Sequence, residues 1–449
     1  MLQEYTNAIL VQIQSALENG DVNSAIQVLE ALRAPDQAEV FDALEDEEKF
    51  SLLPYLNPAV SADILEEMED EDVLELVNAL DSESTIRIVD EMEPDEAADL
   101  LGDMEDEAAE EILAGLINSE EIRPLLLHAD DSAGGLMTSD FIALRCKMRA
   151  QDAIKSLREL RPESEEIYYL FIVDQKDILH GVLGLRDLII ADPDQFLETI
   201  MDPEVITVTV GIDQEEVARL MSKYDLLALP VVDVNRKLVG VITVDDVIDV
   251  IEEETTEDIQ RLGGALPLDQ PYLNTSILTV TKKRIGWLLL LFLTGSLTGE
   301  VMRIFEHELT TVVALSYFIP LLIGTGGNAG SQTTSTIIRA LAVGDIDIGD
   351  ALHSLWHEMR VGVLLGGGMS LFAYIRAMMW GASQALALSV SLSILTIVVW
   401  ANVSGAVLPL IAAKFKIDPT VVSGPVMSTL VDATGLLIYF SIAKIIIGL

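Results

Sequence analysis

From residue 285 onward the chain is almost without charge: residues 285–449 hold 9 of its 74 acidic and 7 of its 27 basic residues, and residues 1–284 hold 65 acids against 20 bases. The first part therefore carries −45 of a net charge of −47. A sequence divided in this way is built for two solvents, water for the acidic part and a bilayer for the apolar part. So acidic a surface repels a phosphate backbone, which excludes nucleic acid as a partner. The N-terminal stretch lacks a basic segment followed by an apolar one, so no cleavable signal is expected. The single cysteine, Cys146, excludes an internal disulfide and fits a reducing compartment.

Within the acidic part, Leu32, Leu44, Leu56, Met68, Leu80, Met92, Met104 and Leu116 recur every twelve residues. Most are followed by a helix-start signal: Asn57-Pro58, Glu69-Asp70, Asp81-Ser82, Glu93-Pro94 and Glu105-Asp106. Between the breaks lie apolar pairs such as Ile64 and Leu65, or Leu100 and Leu101. Helices of about eight residues are too short to stand alone, so residues 1–131 are expected to stack into an acidic α-solenoid.

After Gly134-Gly135, β-branched runs replace the acidic helices. Phe171 to Asp174, Gly181 and Arg186-Asp187 align with Pro230 to Asp233, Gly240 and Asp245-Asp246 at an offset of 59, and Met137-Thr138 and Met201-Asp202 each open a unit. A strand pair followed by an Asp-starting helix, twice over, resembles a tandem pair of CBS modules, 132–198 and 199–250. That resemblance implies a regulatory α/β pair, either a plain dimerising scaffold or an adenine-nucleotide site. Thr243 and Asp246 match the phosphate and ribose positions of such a site, with Arg186 as a further contact. Gly184 stands where Thr243 would stand in the first module, so one ATP site is implied rather than two.

Val244 to Leu262 reads as one helix crowded with Asp245, Asp246, Asp249, Glu252, Glu253, Glu254, Glu257 and Asp258. Gly263-Gly264 ends it, and Pro267 and Pro271 prevent its resumption. Like charges at i+3 and i+4 destabilise a helix, so a cationic partner is expected. Residues 251–284 form the link to the membrane part, 285–449.

That part holds five apolar segments, about 285–305, 311–340, 359–380, 385–412 and 420–448. Five crossings put the termini on opposite sides. Lys282, Lys283, Arg284, Arg339, Arg360, Lys414 and Lys416 mark the inner side, which leaves the acidic part in the cytoplasm and Leu449 outside. The second segment carries Gly324, Gly326, Gly327 and Gly330 after Pro320. Such a run suits either exposed carbonyls along a cation path or close helix packing, and the residues alone weigh the two equally. Asp432 lies in the fifth segment, where a carboxylate is costly and by default marks an ion path. His128, His180, His307, His353 and His357 form neither a ligand set nor a triad spacing, so no enzyme is expected.

Pro320-x-x-x-Gly324-x-Gly326-Gly327-Asn328-x-Gly330-x-Gln332 and Pro425-x-x-Ser428-x-x-x-Asp432-x-Thr434-Gly435 resemble the MgtE magnesium channel family, and the domain order resembles that family along the whole chain. The resemblance implies a homodimer in the plasma membrane, the inner membrane of a bacterium, with Mg²⁺ as its ion and its pore between the second and fifth helices. It places Asp432, Ser428 and Asn328 at the pore. It places regulatory Mg²⁺ on Asp95, Asp99, Glu215, Asp225, Asp245, Asp246, Asp249, Glu254, Glu257 and Asp258, with the connecting helix as a plug. One departure is Gly424, where the family often has asparagine. A carrier coupled to Na⁺ or H⁺ would use the same membrane fold and remains the alternative.

Overall fold

The computed structural model describes all residues except Met1, Glu69, 163–166, Tyr168, 269–271, Asn274, Ser423 and Leu449, and only the backbone of 2–5 and Glu71. The helix break at Glu69, the helix stop at Pro271 and the outer terminus at Leu449 thus lie outside the described residues. The chain forms two compact units, 1–252 and 253–449.

The first unit opens with α1 (Leu2–Glu18), followed by α2 (Val22–Leu29), α3 (Ala34–Asp42), α4 (Asp46–Leu52), α5 (Pro58–Glu66), α6 (Asp70–Ala79), α7 (Ser82–Val89), α8 (Pro94–Asp103), α9 (Asp106–Gly115) and the single turn α10 (Ser119–Ile122). From α2 to α9 each helix begins twelve residues after the last. Local chemistry sets that period: Asp21 and Asp81 accept hydrogen bonds from the N–H groups of Ser24 and Ser84, and Pro58 and Pro94 occupy first-turn positions. Alternate helices pack on one another, α3 on α5, α5 on α7 and α7 on α9, so the apolar pairs Ile64/Leu65 and Leu100/Leu101 are buried as the solenoid winds.

Two three-stranded sheets follow. In the first, β1 (Ala143–Arg145) runs parallel to β2 (Leu170–Val173), which pairs antiparallel with β3 (Leu179–Leu183); α11 (Ala150–Leu160) and α12 (Leu185–Ile190) flank them. The second repeats this with β4 (Val208–Thr209), α13 (Gln214–Tyr224), β5 (Ala228–Val232) and β6 (Leu238–Thr243), and α14 (Val244–Leu262) follows. The repeat predicts both hairpins; β1 and β4 are additions.

The modules interlock through their opening methionines. A Cβ on Gly240 of the second module would lie 2.5 Å from the sulfur of Met137, and one on Gly181 of the first would lie 2.5 Å from that of Met201. Thr138 bridges to Val241 and Asp202 to Val182 beside these contacts. Each module is thus opened by a residue that packs on the other module's strand, and the two glycines are the room that packing requires.

The second unit contains α15 (Ile277–Ile304), α16 (Glu306–Thr311), α17 (Ile319–Ala342), α18 (Ala351–Met379), α19 (Gln384–Lys414) and α20 (Gly424–Ile447). By length and composition α15, Ile348–Met379, α19 and α20 are apolar enough to cross a membrane. Helix α17 is 24 residues long, which spans about 36 Å. Glycine, serine and threonine in its middle keep its hydropathy lower. It begins at Ile319 rather than near 311, with Pro320 in the first turn, where a missing N–H costs nothing. It then runs unbroken, so the glycine run does not unwind to expose carbonyls. Helix α17 packs on α19 and α20, α18 on α19, and α15 on α20. Phe318, Leu322, Ile394, Ile397, Val431, Tyr439 and Phe440 are buried among these helices. Tyr439 donates a 3.0 Å hydrogen bond to the Leu315 carbonyl.

Candidate functional site

Ser428 and Asp432 stand one turn apart on α20, a spacing that puts them on one face. Helix α17 reaches this helix through its glycines: a Cβ on Gly327 would lie 3.1 Å from Ser428 Oγ, and one on Gly326 would lie 2.7 Å from Val431. Ser331 on α17 donates to the Gly424 carbonyl at 3.1 Å and lies 3.4 Å from Ser428 Oγ. The glycines thus serve close packing of α17, the second of the two uses open to them. Gly424 offers only its carbonyl, already taken by Ser331. A side chain would fit there, since its Cβ would meet Ser331 no nearer than 3.5 Å.

Asp432 is half-buried and has no hydrogen bond or ion pair among the described residues. Its place in an apolar helix costs about 2.5–3.5 kcal/mol. Asn328, next to Gly327, is exposed. A cavity of about 320 Å³ lined by Leu321, Met369, Phe372, Arg376, Met379 and Ile394 has no carboxylate in its lining and does not suit a cation.

A second constellation lies in the first unit, where α8 faces the start of α14. Asp95 is 6 % exposed, and its Oδ1 has no partner among the described residues. Burial, then the nearby charge of Asp246, pushes its carboxyl well above the usual range. Burial, then Asp99, Glu66 and Asp246, raises Glu96 to about 8. Asp99 is raised to about 7 by burial, then by Asp130, Asp70 and Asp103. Asp246 is also raised by burial, although it accepts hydrogen bonds from the N–H and hydroxyl of Thr243 at 3.1 and 2.6 Å. Burial and then Asp249 raise Glu67. Asp70, Glu96, Asp99 and Asp103 line a cavity of about 20 Å³, room for one ion or water.

The structure therefore brings Asp95 and Asp246 together, and Asp249 with Glu67. It leaves Asp245, Glu215 and Asp225 exposed. Glu215 lies in the first turn of α13 and Asp225 caps its far end in a left-handed conformation, so they stand about 15 Å apart and cannot share an ion. Arg186 is exposed on the first module. Among the described residues no three histidine, cysteine or acidic side chains converge as a ready metal site.

In the second unit the end of α14 meets the turn before α20. Arg261 pairs with Glu257 at 2.5 Å and with Asp418 at 3.1 Å. Burial raises Glu257 and Asp258, while Arg261 pulls both down. Glu254 is half-exposed on the same stretch. A Cβ on Gly264, just past the helix, would lie 2.5 Å from Trp287 and 3.4 Å from Pro425.

Sequence reasoning missed Glu66, Glu67, Glu96, Asp103 and the Arg261–Asp418 pair. The 95, 99, 103 spacing along α8 is the one signal that could have found part of this set.

Models for the MgtE intracellular N domain match residues 12–131, for the CBS domain 133–194 and 197–253, and for the MgtE divalent cation transporter 319–442. The magnesium transporter MgtE of Thermus thermophilus is 40 % identical over 444 residues, 98 % of each chain. The chain belongs to the MgtE family. MgtE of Bacillus subtilis is 34 % identical over 328 residues, 72 % of each chain. The crystal structure of the cytosolic domain of the Mg²⁺ channel MgtE in complex with ATP matches 54 % of this chain and 99 % of its own at 38 % identity and a TM-score of 0.51. Membership in MgtE makes the chain a multi-pass transporter rather than an enzyme.

Proposed function

We propose that the chain is a Mg²⁺-selective channel of the plasma membrane, a homodimer whose path is lined by α17 and α20 and which closes when cytosolic Mg²⁺ binds its acidic surfaces. The observation that carries this reading is the unneutralised Asp432 on the helix that packs against α17, in a chain whose full-length relative is a magnesium transporter. Mg²⁺ is small and dehydrates reluctantly. Two Asp432 carboxylates across a dimer axis match the charge of one hydrated ion, and Ser428 and Asn328 supply neutral oxygens for its water shell. Ca²⁺, with its larger and irregular shell, suits that arrangement poorly. The N terminus is cytoplasmic and the C terminus outside.

Regulation rests on the acid face. Asp95, Glu96 and Asp99 repel Asp246 and one another when ionised, and either a proton or Mg²⁺ relieves that repulsion. Because burial raises these groups, the folded unit holds protons that the unfolded chain gives up. Their stabilising effect is therefore full below about pH 4 and lost as pH rises through the folded values near 7 and 8. In EDTA, protease cleavage of the 250–265 region is expected to rise from pH 6 to pH 8.5, and millimolar Mg²⁺ is expected to suppress it at the higher pH. Cleavage indifferent to both pH and Mg²⁺ would sink this account.

Arg261 gives the closed state a contact needing no metal. Both partners are about one-third exposed, so the pair is worth at most about 1 kcal/mol. Patch-clamp recording with Mg²⁺ varied on the cytoplasmic face is the test of the whole reading. Current should flow down a Mg²⁺ gradient without any Na⁺ or H⁺ gradient and fall as internal Mg²⁺ rises. R261Q should need a few-fold more Mg²⁺ to close. Flux that requires a Na⁺ or H⁺ gradient would favour a coupled carrier instead.

An ATP site at the second CBS module is supported by the Thr243–Asp246 arrangement, in which one carboxylate oxygen is committed to Thr243 and the other is left for a ribose hydroxyl. Gly184 leaves the first module without the hydroxyl. ATP and the acid face would then both draw on Asp246.

A further inference from the structure

Helices α17, α18 and α19 share a polar cluster that the ion path does not use. Glu358 on α18 accepts hydrogen bonds from Thr333 Oγ1 on α17 and Asn402 Nδ2 on α19, each at 3.2 Å. No lysine, arginine or histidine forms an ion pair with it among the described residues. Asn402 is 2 % exposed, and its Oδ1 is buried with no donor facing it among the described residues. Gly362 confines this amide, since a Cβ there would lie 3.2 Å from Asn402 Cβ and 3.1 Å from the Val399 backbone.

These features fit poorly with a simple interhelical clamp. Hydrogen bonds from a hydroxyl to a carboxylate usually close to about 2.5–2.7 Å, and the Thr333 bond here is longer. A clamp also gains nothing from a buried amide oxygen without a donor, which loses its hydration with nothing in return. An ion held by oxygens at about 2.4 Å bridges ligands about 3.4 to 4.8 Å apart. Asn402 Oδ1 shares a carbon with Nδ2, so it lies at most about 5.5 Å from the Glu358 carboxylate oxygen, a bound that overlaps the span such an ion bridges at its near end.

We propose that Glu358, Asn402 and Thr333 hold a single monovalent cation of the alkali class between α17, α18 and α19. One carboxylate and two neutral oxygens balance one positive charge. A divalent ion would leave an uncompensated charge in a low-dielectric setting, where unpaired charge is expensive. Occupancy would satisfy Asn402 Oδ1 and tie together three helices, two of which, α17 and α19, also pack against the Asp432 helix.

The test is thermal unfolding of the purified full-length protein in EDTA, with NaCl exchanged for N-methylglucamine chloride at constant ionic strength. The melting temperature should rise by about 3 °C with Na⁺ and saturate. The rise should vanish in E358Q, need about tenfold more Na⁺ in T333V, and persist in D432A. T333V keeps the test open should E358Q fail to fold. Equal melting in the two salts, a rise that survives in E358Q, or a response to pH alone overturns the assignment, the last by making Glu358 a proton site. None of these readouts depends on Mg²⁺ flux.

Discussion

Replacing Asp432 by alanine is expected to lower Mg²⁺ uptake about a hundredfold or more without lowering the protein's stability. The carboxylate sits half-buried in α20 with no hydrogen bond or ion pair among the described residues, so none of their contacts depends on its charge. Removing it saves the burial cost, and the melting temperature should hold or rise. Flux should respond in the opposite sense. A unit charge about 4 Å from a divalent ion contributes several kcal/mol at an effective dielectric constant near 20. About 3 kcal/mol is already a hundredfold in occupancy, and two protomers lose the charge together. D432N keeps the size and an oxygen, so intermediate selectivity with low flux is expected. Radiotracer or fluorescence uptake into Mg²⁺-free vesicles, paired with thermal unfolding, separates these effects. Wild-type flux in D432A would remove Asp432 from the ion path, and a large loss of stability would make its role structural.

The soluble part was legible to the degree that its signals are local. Helices α3 to α5 and α7 to α9 start at 34, 46, 58, 82, 94 and 106, and each carries Pro or an acid in its own first turn. The end of α14 at Leu262 follows from Gly263-Gly264 for the same reason, with Gly264 in the left-handed region at φ 75°. Strands β1 and β4 were not legible. They are three and two residues long, too short for alternation, and exist only because β2 and β5 pair with them in parallel.

Helix α17 is the case in which the residues alone left two uses open. Four glycines and a proline argue against a helix in water, where the freed backbone finds solvent. Inside a membrane every N–H and C=O must be satisfied within the segment, and the helix persists. The glycines then admit Ile397, Val431, Ser428 and Met427 to within van der Waals distance.

Site residues divide along the same line. Asp95 and Asp246 were named from resemblance, and the fold brings them together across 151 residues. Glu67 and Glu96, which share that face, carry no distinguishing signal among 74 acids. Arg261 and Asp418, 157 residues apart, could not be paired from spacing. Asn402 looks in sequence like any polar residue in an apolar run, and only its burial against Glu358 sets it apart.

The triple substitution D95N, E96Q and D246N is expected to keep the cytosolic unit compact without Mg²⁺ and to make channel closure nearly independent of the ion. Each replacement keeps the shape and an accepting oxygen, so the Thr243 hydrogen bonds survive. What is lost is charge. At pH 8 the ionised face opposes folding by about 1.4 kcal/mol for each unit by which burial raises a carboxyl, and Glu96 alone is raised to about 8. Relief of that repulsion should raise the melting temperature in EDTA by at least about 5 °C. The further rise that Mg²⁺ gives the wild type should largely disappear, because three of the acids whose repulsion the ion relieves are neutral. Alanine at the same three positions also removes the charge but leaves cavities, so it should gain less. Proteolysis of the 250–265 region and the open probability should follow the same order, both low in the neutral variant at every Mg²⁺ concentration. A variant that opens freely, or that still gains the full wild-type stabilisation from Mg²⁺, would mean that the ion acts elsewhere. In that case the exposed acids Glu215, Asp225 and Asp245 are the next to neutralise.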